Sequence, residues 1–375
     1  MIVGSGLYGL TVANLIVSKY KKPVLIIERR NHIGGNVWSE IDDQTGIEVH
    51  QYGSHIFHTS NEKVWSYINR FTKFNDYKHH VWALHANRIY PLPISLATIC
   101  NFYGKSITPD EVDDYLPSAI PNEKEIYNLE TKAISLIGQE LYDAFIKNYT
   151  AKQWQTDPKL LPQEIITRLP VRRNFNTRYF NDKYEGIPTE GYAKMLLNMV
   201  ENPLITVRLD TDFFKIRDSI PSSTPVIYTG EIDRYFDYKH GRLNWRTLDF
   251  EIEKVSVPDF QGTSVVNYSD LDCAFTRIHE FRHFHPEWTY SSNDTIICRE
   301  YSRMADNSDE PYYPVNTAED RDKMKKYRSD AANEKKTHFG GRLGSYQYLD
   351  MHMAIASAFV DFENTICEMI DQNQS

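Results

Sequence analysis

Three observations predict an α/β fold built on a Rossmann-like parallel sheet for this chain. The first is a short apolar strand, Met1-Ile2-Val3, that runs into Gly4-Ser5-Gly6-Leu7-Tyr8-Gly9 and then into a stretch with helical periodicity at Leu10, Ala13, Leu15, Ile16 and Val17. The second is Val24-Leu25-Ile26-Ile27, a continuous apolar run of the kind buried in parallel sheets, which ends at Glu28. The third is the return of the same pattern late in the chain. Val226-Ile227-Tyr228-Thr229-Gly230 reads as a strand, and His338-Phe339-Gly340-Gly341-Arg342 precedes a helical pattern from Met351 to Met369.

The glycine spacing carries a mechanism. Gly4 permits a tight turn, Gly6 lets backbone approach a pyrophosphate, and Gly9 lets helix and strand pack closely. The helix N-terminus that follows favours negative charge. Glu28 lies 24 residues beyond Gly4 and is placed to accept hydrogen bonds from ribose hydroxyls. Just past the second strand stand Arg29-Arg30-Asn31-His32-Ile33-Gly34-Gly35-Asn36, an arrangement similar to flavoproteins of the amine-oxidase group, where this segment runs along FAD.

Beyond residue 60 the pattern changes. Thr108-Pro109-Asp110-Glu111 reads as a helix start, and Asn128 to Trp154 as one long amphipathic helix with Ala133, Ile134, Ile137, Leu141 and Phe145 on its apolar stripe. Residues 160–190 read as a loop followed by strands. Ile205-Thr206-Val207-Arg208-Leu209 reads as a strand, and residues 245–303 as several short strands in a mostly antiparallel sheet. Neither repeats nor low-complexity linkers occur, so interleaved domains are expected. The nucleotide-binding domain takes residues 1–60, 190–235 and 336–375, a helical domain takes 80–165, and the antiparallel sheet takes 61–79, 166–189 and 236–335.

Composition narrows the function classes. The net charge is −9 with no basic block, which argues against nucleic-acid or lipid surfaces. No apolar run approaches a membrane span. Cys100, Cys273, Cys298 and Cys367 are scattered, as expected of reduced thiols in a cytoplasmic protein. With the glycine motif beginning at residue 4, no signal peptide is expected. The 25 tyrosines stand out, since a tyrosine joins an apolar face to a hydroxyl that bonds phosphates. His279-Glu280-Phe281-Arg282-His283 is a literal HExxH. That motif holds zinc only on a helix, and Pro286 with Phe281, Phe284 and Trp288 makes this segment extended, so no metal is expected.

Taken in order, the motifs resemble one family, the bacterial UDP-galactopyranose mutases. They are Gly4-Ser5-Gly6, Arg30 to Asn36, Tyr52-Gly53-Ser54-His55-Ile56-Phe57-His58-Thr59, Tyr149-Thr150-Ala151-Lys152-Gln153-Trp154, Arg168-Leu169-Pro170-Val171-Arg172, Glu310 to Asn316, Phe339 to Leu343, and Tyr346 to His352. Two places depart from the family pattern: Met1 already lies in the first strand, and Thr229-Gly230-Glu231-Ile232-Asp233 lacks the usual proline.

The resemblance implies a chemistry. N5 of a reduced flavin attacks the anomeric carbon of galactose and expels UDP, the sugar recloses through its 4-hydroxyl, and UDP returns. NADPH or NADH would reduce the FAD, and the product would supply galactofuranose for cell-surface polysaccharides. By the same resemblance Arg168 and Arg277 are the cations facing the departing pyrophosphate, with Arg172 and Arg246 as weaker candidates. Tyr179, Tyr313 and Tyr348 would donate to phosphates. Phe145, Tyr149, Thr150 and Trp154 would hold the uridine end, with Asn267 also toward the substrate. Glu300 and Asp350 would lie near the sugar, and neither is assigned as a general base. His55 would touch the flavin, with His58 nearby. The cofactor set is Gly4, Gly6, Gly9, Glu28, Arg29, Gly34, Gly35, Asn36, His55, Ile56, Val207, Gly230, Arg342, Tyr348, Asp350 and Met351. The expected partners are a UDP-sugar and a second copy of the chain. N-acetylgalactosamine in place of galactose, or an amine-oxidase-like flavin oxidoreductase, stand as the alternatives.

Overall fold

A computed structural model describes residues 1–116, 126–166 and 171–372. Its parallel sheet has five strands in the spatial order Thr337–Phe339, Val226–Tyr228, Ile2–Val3, Val24–Ile27, Ile205–Arg208. Ile2 sits between Ile26 and Ile227, so the chain's first strand is the central one and is buried on both faces. Three distant segments therefore meet in one sheet. The helix Leu7–Tyr20 buries Leu10, Val12, Ala13, Ile16 and Val17, packs on the helix Met351–Asp361, and ends at Lys21 in the left-handed region. Together they form the apolar layer over one sheet face.

The second sheet has seven strands, in the order Tyr313–Pro314, Trp245–Val255, Thr295–Met304, Arg277–Glu280, Val265–Tyr268, Val81–His85, Arg88–Leu92. All neighbours are antiparallel except Val265–Tyr268 with Val81–His85. Two of these strands are long, eleven and ten residues, where the sequence reads as short segments. Charges at alternate positions cause the difference. Asp249, Glu251 and Glu253 are paired across strands with Arg299 and Arg303 on the solvent face, so they continue the ladder rather than break it.

Residues 81–92 correct the expected helical boundary: they are a hairpin in this sheet, and helix begins only at Leu96–Tyr103. Residues 62–68 differ as well. They form a helix whose Val64, Tyr67 and Ile68 join the core shared with the parallel sheet. The long helix from Asn128 starts as expected, with the Asn128 side chain accepting from Thr131 N–H at 2.8 Å. It does not run unbroken to Trp154. Gly138, at φ 75°, interrupts it, and Tyr142–Lys147 forms a π-helical turn before Asn148–Trp154. These helices pack around Ile99, Ile137, Leu141 and Tyr142 as a separate core. Among the described residues no helix is long and apolar enough to cross a membrane.

Candidate active site

Between the two sheets and the helical segment lies a cleft of about 870 Å³. One wall is the glycine turn. Gly4 has φ +96° and donates its N–H to Ile27 O at 2.8 Å, closing the parallel ladder where the chain turns into the helix. A Cβ on Gly9 would stand 2.3 Å from the Gly4 carbonyl, so only glycine allows the helix this close. A Cβ on Gly6 would meet nothing within 4 Å, because Gly6 faces the cleft. The helix it opens has no side-chain cap, so its first N–H groups remain for a ligand. The helix Met351–Asp361 likewise begins without a side-chain cap, beside Asp350 and Met351 on the cleft wall.

Glu28 anchors the turn: Oε2 accepts from Ser5 N–H and Oγ–H at 2.9 and 2.7 Å, and Oε1 from Arg30 N–H at 3.0 Å. Arg29 pairs with Glu231 and Glu310, and Arg30 with Asn36 and Glu310. Arg30 keeps one buried nitrogen, Nη1, without a hydrogen-bond partner among the described residues. An orphaned cationic donor beside two uncapped helix starts suits a bound dinucleotide, and these residues fit one. Gly34, Gly35, His55, Ile56, Gly230 and Arg342 line the same cleft. Val207 does not. It sits opposite Ile26 in the sheet and packs on the core, as strand alternation requires for the residue between the exposed Thr206 and Arg208.

The opposite wall is built by strand register. Asn267, Arg277 and Glu300 lie in one row across three strands, so their side chains share a face. Arg277 donates Nη2–H to the Tyr149 hydroxyl and holds Nε 3.4 Å from Glu300 Oε1. Burial opposes the Glu300 charge, but Arg277 and a 3.0 Å bond from His279 hold its carboxyl down to about 2. Burial pushes the Tyr149 phenol up to about 12. Asn267 Oδ1 is buried and accepts from none of the described residues.

Tyr313 and Tyr348 stack with centroids 5.6 Å apart, and Arg342 lies over both rings while its Nη groups donate to Tyr312 O and Leu349 O. Burial raises both phenols, so both hydroxyls stay protonated as donors. Tyr179 is 44% exposed at the cleft edge, against His79.

Other expected residues fall differently. Phe145 is only 3% exposed, wedged between Tyr90, Phe102 and His85, so it is core with one edge at the cleft wall. Thr150 and Trp154 line the cleft, although Thr150 is nearly buried. Arg246 and Arg172 are not cleft residues. Arg246 is buried, donating to Trp154 O and Ser302 Oγ, and Arg172 gathers the carbonyls of Asn176 and Arg178 with Asn181. Arg168 lies outside the described residues.

His55 donates Nδ1–H to Gly53 O at 2.7 Å, and burial lowers its pKa to about 3, so it is neutral with Nε2 left as an acceptor. His58 bonds Asp182 at 2.7 Å and stacks on Phe180. The HExxH segment is the strand Arg277–Glu280 followed by a 3-10 turn, so its histidines do not share a helical face. His279 faces Ser54 and Glu300, whereas His283 pairs with Asp259 and Glu280. Ser54 and His279 also line the cleft, although neither the Tyr52–Thr59 motif nor HExxH marks them as site residues. A usable signal existed, because His279 is two residues from Arg277 and a strand turns both to one face.

Comparison with known proteins agrees with this layout. A family model described as UDP-galactopyranose mutase matches residues 144–348, and one described as an NAD(P)-binding Rossmann-like domain matches residues 2–71. A probable UDP-galactopyranose mutase of Klebsiella pneumoniae is 39% identical over 100% of this chain and 96% of its own length. A dTDP-fucopyranose mutase of Escherichia coli is 38% identical, covering 96% of each. A crystal structure of reduced UDP-galactopyranose mutase superposes with a TM-score of 0.76 at 13% identity, over 96% of this chain and 93% of that one, a likeness of fold. The chain belongs to the UDP-galactopyranose mutase family of isomerases.

Proposed function

We propose that this protein interconverts the pyranose and furanose forms of UDP-galactose with FAD bound along the glycine turn. The observation that carries the reading is the single cleft that joins a dinucleotide cradle to the Arg277–Tyr149–Asn267 wall. Gly4, Gly6, Arg30, Asn36 and the uncapped start at Met351 would hold the cofactor. When bound and reduced, FAD supplies the nucleophile for the anomeric carbon.

The chain's own residues account for the rest. Arg277 faces the diphosphate and stabilises its charge as the bond to the sugar breaks. Glu300 fixes the guanidinium, and the Tyr149 hydroxyl keeps its proton for a phosphate oxygen. Tyr179, Tyr313 and Tyr348 donate to the same oxygens, and Arg168 is the second cation this reading requires. Neutral His55 offers Nε2 as an acceptor toward the cofactor without adding a charge. The apolar end, with Leu129, Ile94, Ile166 and Trp154, suits a nucleobase. A reduced cofactor, regenerated by NADPH or NADH, and a homodimer complete the proposal.

A second reading has its own support. The relative named dTDP-fucopyranose mutase is 38% identical, against 39% for the Klebsiella relative named for galactose, so the same ring chemistry on dTDP-fucose is the competing reading.

The test incubates purified, FAD-containing protein with UDP-galactofuranose, with and without dithionite, and resolves the products. UDP-galactopyranose formed only under reduction is the expected result. No conversion in either state overturns the galactose assignment, and conversion of dTDP-fucofuranose under reduction would establish the second reading.

A further inference from the structure

Isomerising a pyranose to a furanose moves one proton, whatever attacks the anomeric carbon. The pyranose has its ring oxygen at O5 and a free hydroxyl at O4, and the furanose has the reverse. The C1–O5 bond breaks, the C1–O4 bond forms, and the proton that began on O4 ends on O5.

One array in the cleft is built to take that proton and return it. Ser54 Oγ lies 2.6 Å from His279 Nδ1, and His279 Nε2 lies 3.0 Å from Glu300 Oε2. All three residues line the cleft. Glu300 is an ionised acceptor, so Nε2 carries hydrogen and Nδ1 does not. Nδ1 therefore accepts from the Ser54 hydroxyl, whose lone pairs are left for a ligand. His279 makes hydrogen bonds to Ser54 and Glu300, and burial with its other neighbours keeps its pKa below the ordinary value. The titratable and charged groups around it are Glu300, Arg277, His50, His55 and His79.

We propose that Ser54, His279 and Glu300 form a proton relay for O4 and O5 of the sugar, an inference that rests on the ring-isomerase reading above. Ser54 Oγ takes the O4 proton while its own proton passes to His279 Nδ1. The imidazolium is held against the Glu300 carboxylate, and the reverse movement through Ser54 delivers a proton to O5. The relay ends as it began, and no oxidant or reductant enters. The arrangement follows the general logic of a hydroxyl, a base and a group that orients the base. Ser54 is the group that touches the sugar, and His279 acts through it.

The test uses the holoenzyme with His279→Gln, Ser54→Ala and Ser54→Thr. Glutamine can accept from Ser54 and donate to Glu300 but cannot take a proton, so a structural role survives this change and a relay does not. The expected result is a kcat about 100-fold lower in His279→Gln, with KM and FAD content unchanged. The acidic limb of kcat, where protonated His279 can no longer accept, disappears in that variant. Ser54→Ala falls likewise, and Ser54→Thr recovers much of the loss. Independently of activity, 15N NMR of the wild type at neutral pH should show His279 protonated at Nε2 and free at Nδ1. A proton on Nδ1 overturns the relay. So does an active wild type whose His279→Gln variant has equal kcat and the same acidic limb. A wild type inactive on both UDP-galactofuranose and dTDP-fucofuranose instead refutes the reading on which the relay rests.

Discussion

Glu48 and Glu300 are both buried carboxylates bonded to histidines, yet their surroundings have opposite consequences. Glu48 is enclosed: Oε1 accepts from Ser39 Oγ–H and from Tyr192 N–H at 2.7 Å, and Oε2 accepts from His285 Nε2 at 2.6 Å. His285 in turn stacks on Trp288 and pairs with Glu287. Glu300 bonds His279 and lies near Arg277, but its network opens on the cleft, where Asn267, in the same strand row, holds a buried Oδ1 with no hydrogen-bond partner among the described residues. In the first network both carboxylate oxygens are taken by protein donors away from the cleft, which joins the strand Glu48–His50 to His285. The second leaves hydrogen-bonding capacity unspent, which is what a polar ligand needs.

Replacing the enclosed carboxylate should have the largest effect on stability. Glu48→Gln is expected to lower stability by about 3–5 kcal/mol, read as a fall in Tm or denaturation midpoint, because the buried His285, Ser39 and Tyr192 N–H donors lose a charged partner with two acceptor oxygens. Retention of wild-type stability would erase the distinction between the two networks. In the open network the effect should fall on turnover. Arg277→Ala is expected to reduce kcat about 10²–10³-fold, measured on protein that remains folded, in addition to any fall in Tm from leaving the buried Glu300 without its guanidinium partner. Unchanged turnover would remove Arg277 from the chemistry.

The glycine turn sharpens the contrast within two positions. Gly9→Ala meets the Gly4 carbonyl and should cost about 1–3 kcal/mol of stability. Gly6→Ala meets no protein atom within 4 Å, and Gly6 has an ordinary φ of −64°. It should leave Tm unchanged while weakening FAD retention, measured by flavin absorbance after dialysis. Equal retention would mean that the cofactor does not cross Gly6.

The smallest effect concerns acid. Burial opposes the charge on Glu300, but Arg277 and His279 outweigh it, so the folded pKa of about 2 lies below the unfolded value near 4.5. Its stabilising contribution is present above pH 4.5 and is lost as pH falls toward 2. Glu300→Gln should flatten the dependence of stability on pH in that window by up to one proton. An unaltered slope would show that Glu300 titrates normally.

The two regions also differ in how far the sequence exposes them. The glycine turn was readable because its parts are local: strand, turn, helix and acidic residue fall within 28 residues. The Arg277 wall depends on register across three strands drawn from residues 265–304, and no local pattern sets which residues face one another. The arginines show the limit. Arg172, Arg246 and Arg277 all stand among aromatics, and only packing reveals that the first two are spent on backbone carbonyls and neighbouring side chains. Phe145 fits the helical stripe and the cleft at once, since it sits where the helix turns π and meets both. His279 was read only within HExxH, whereas strand alternation with Arg277 was the informative pattern.

The central claim is that the open wall receives a nucleoside diphosphate. Calorimetric titration of UDP into FAD-loaded wild type and Arg277→Ala tests it directly. The account predicts saturable 1:1 binding to the wild type, weakened at least about tenfold by the substitution, as expected for losing a charge-assisted contact of at least about 1.4 kcal/mol. Equal affinity for the two proteins, or no binding to the FAD-loaded wild type, would contradict it.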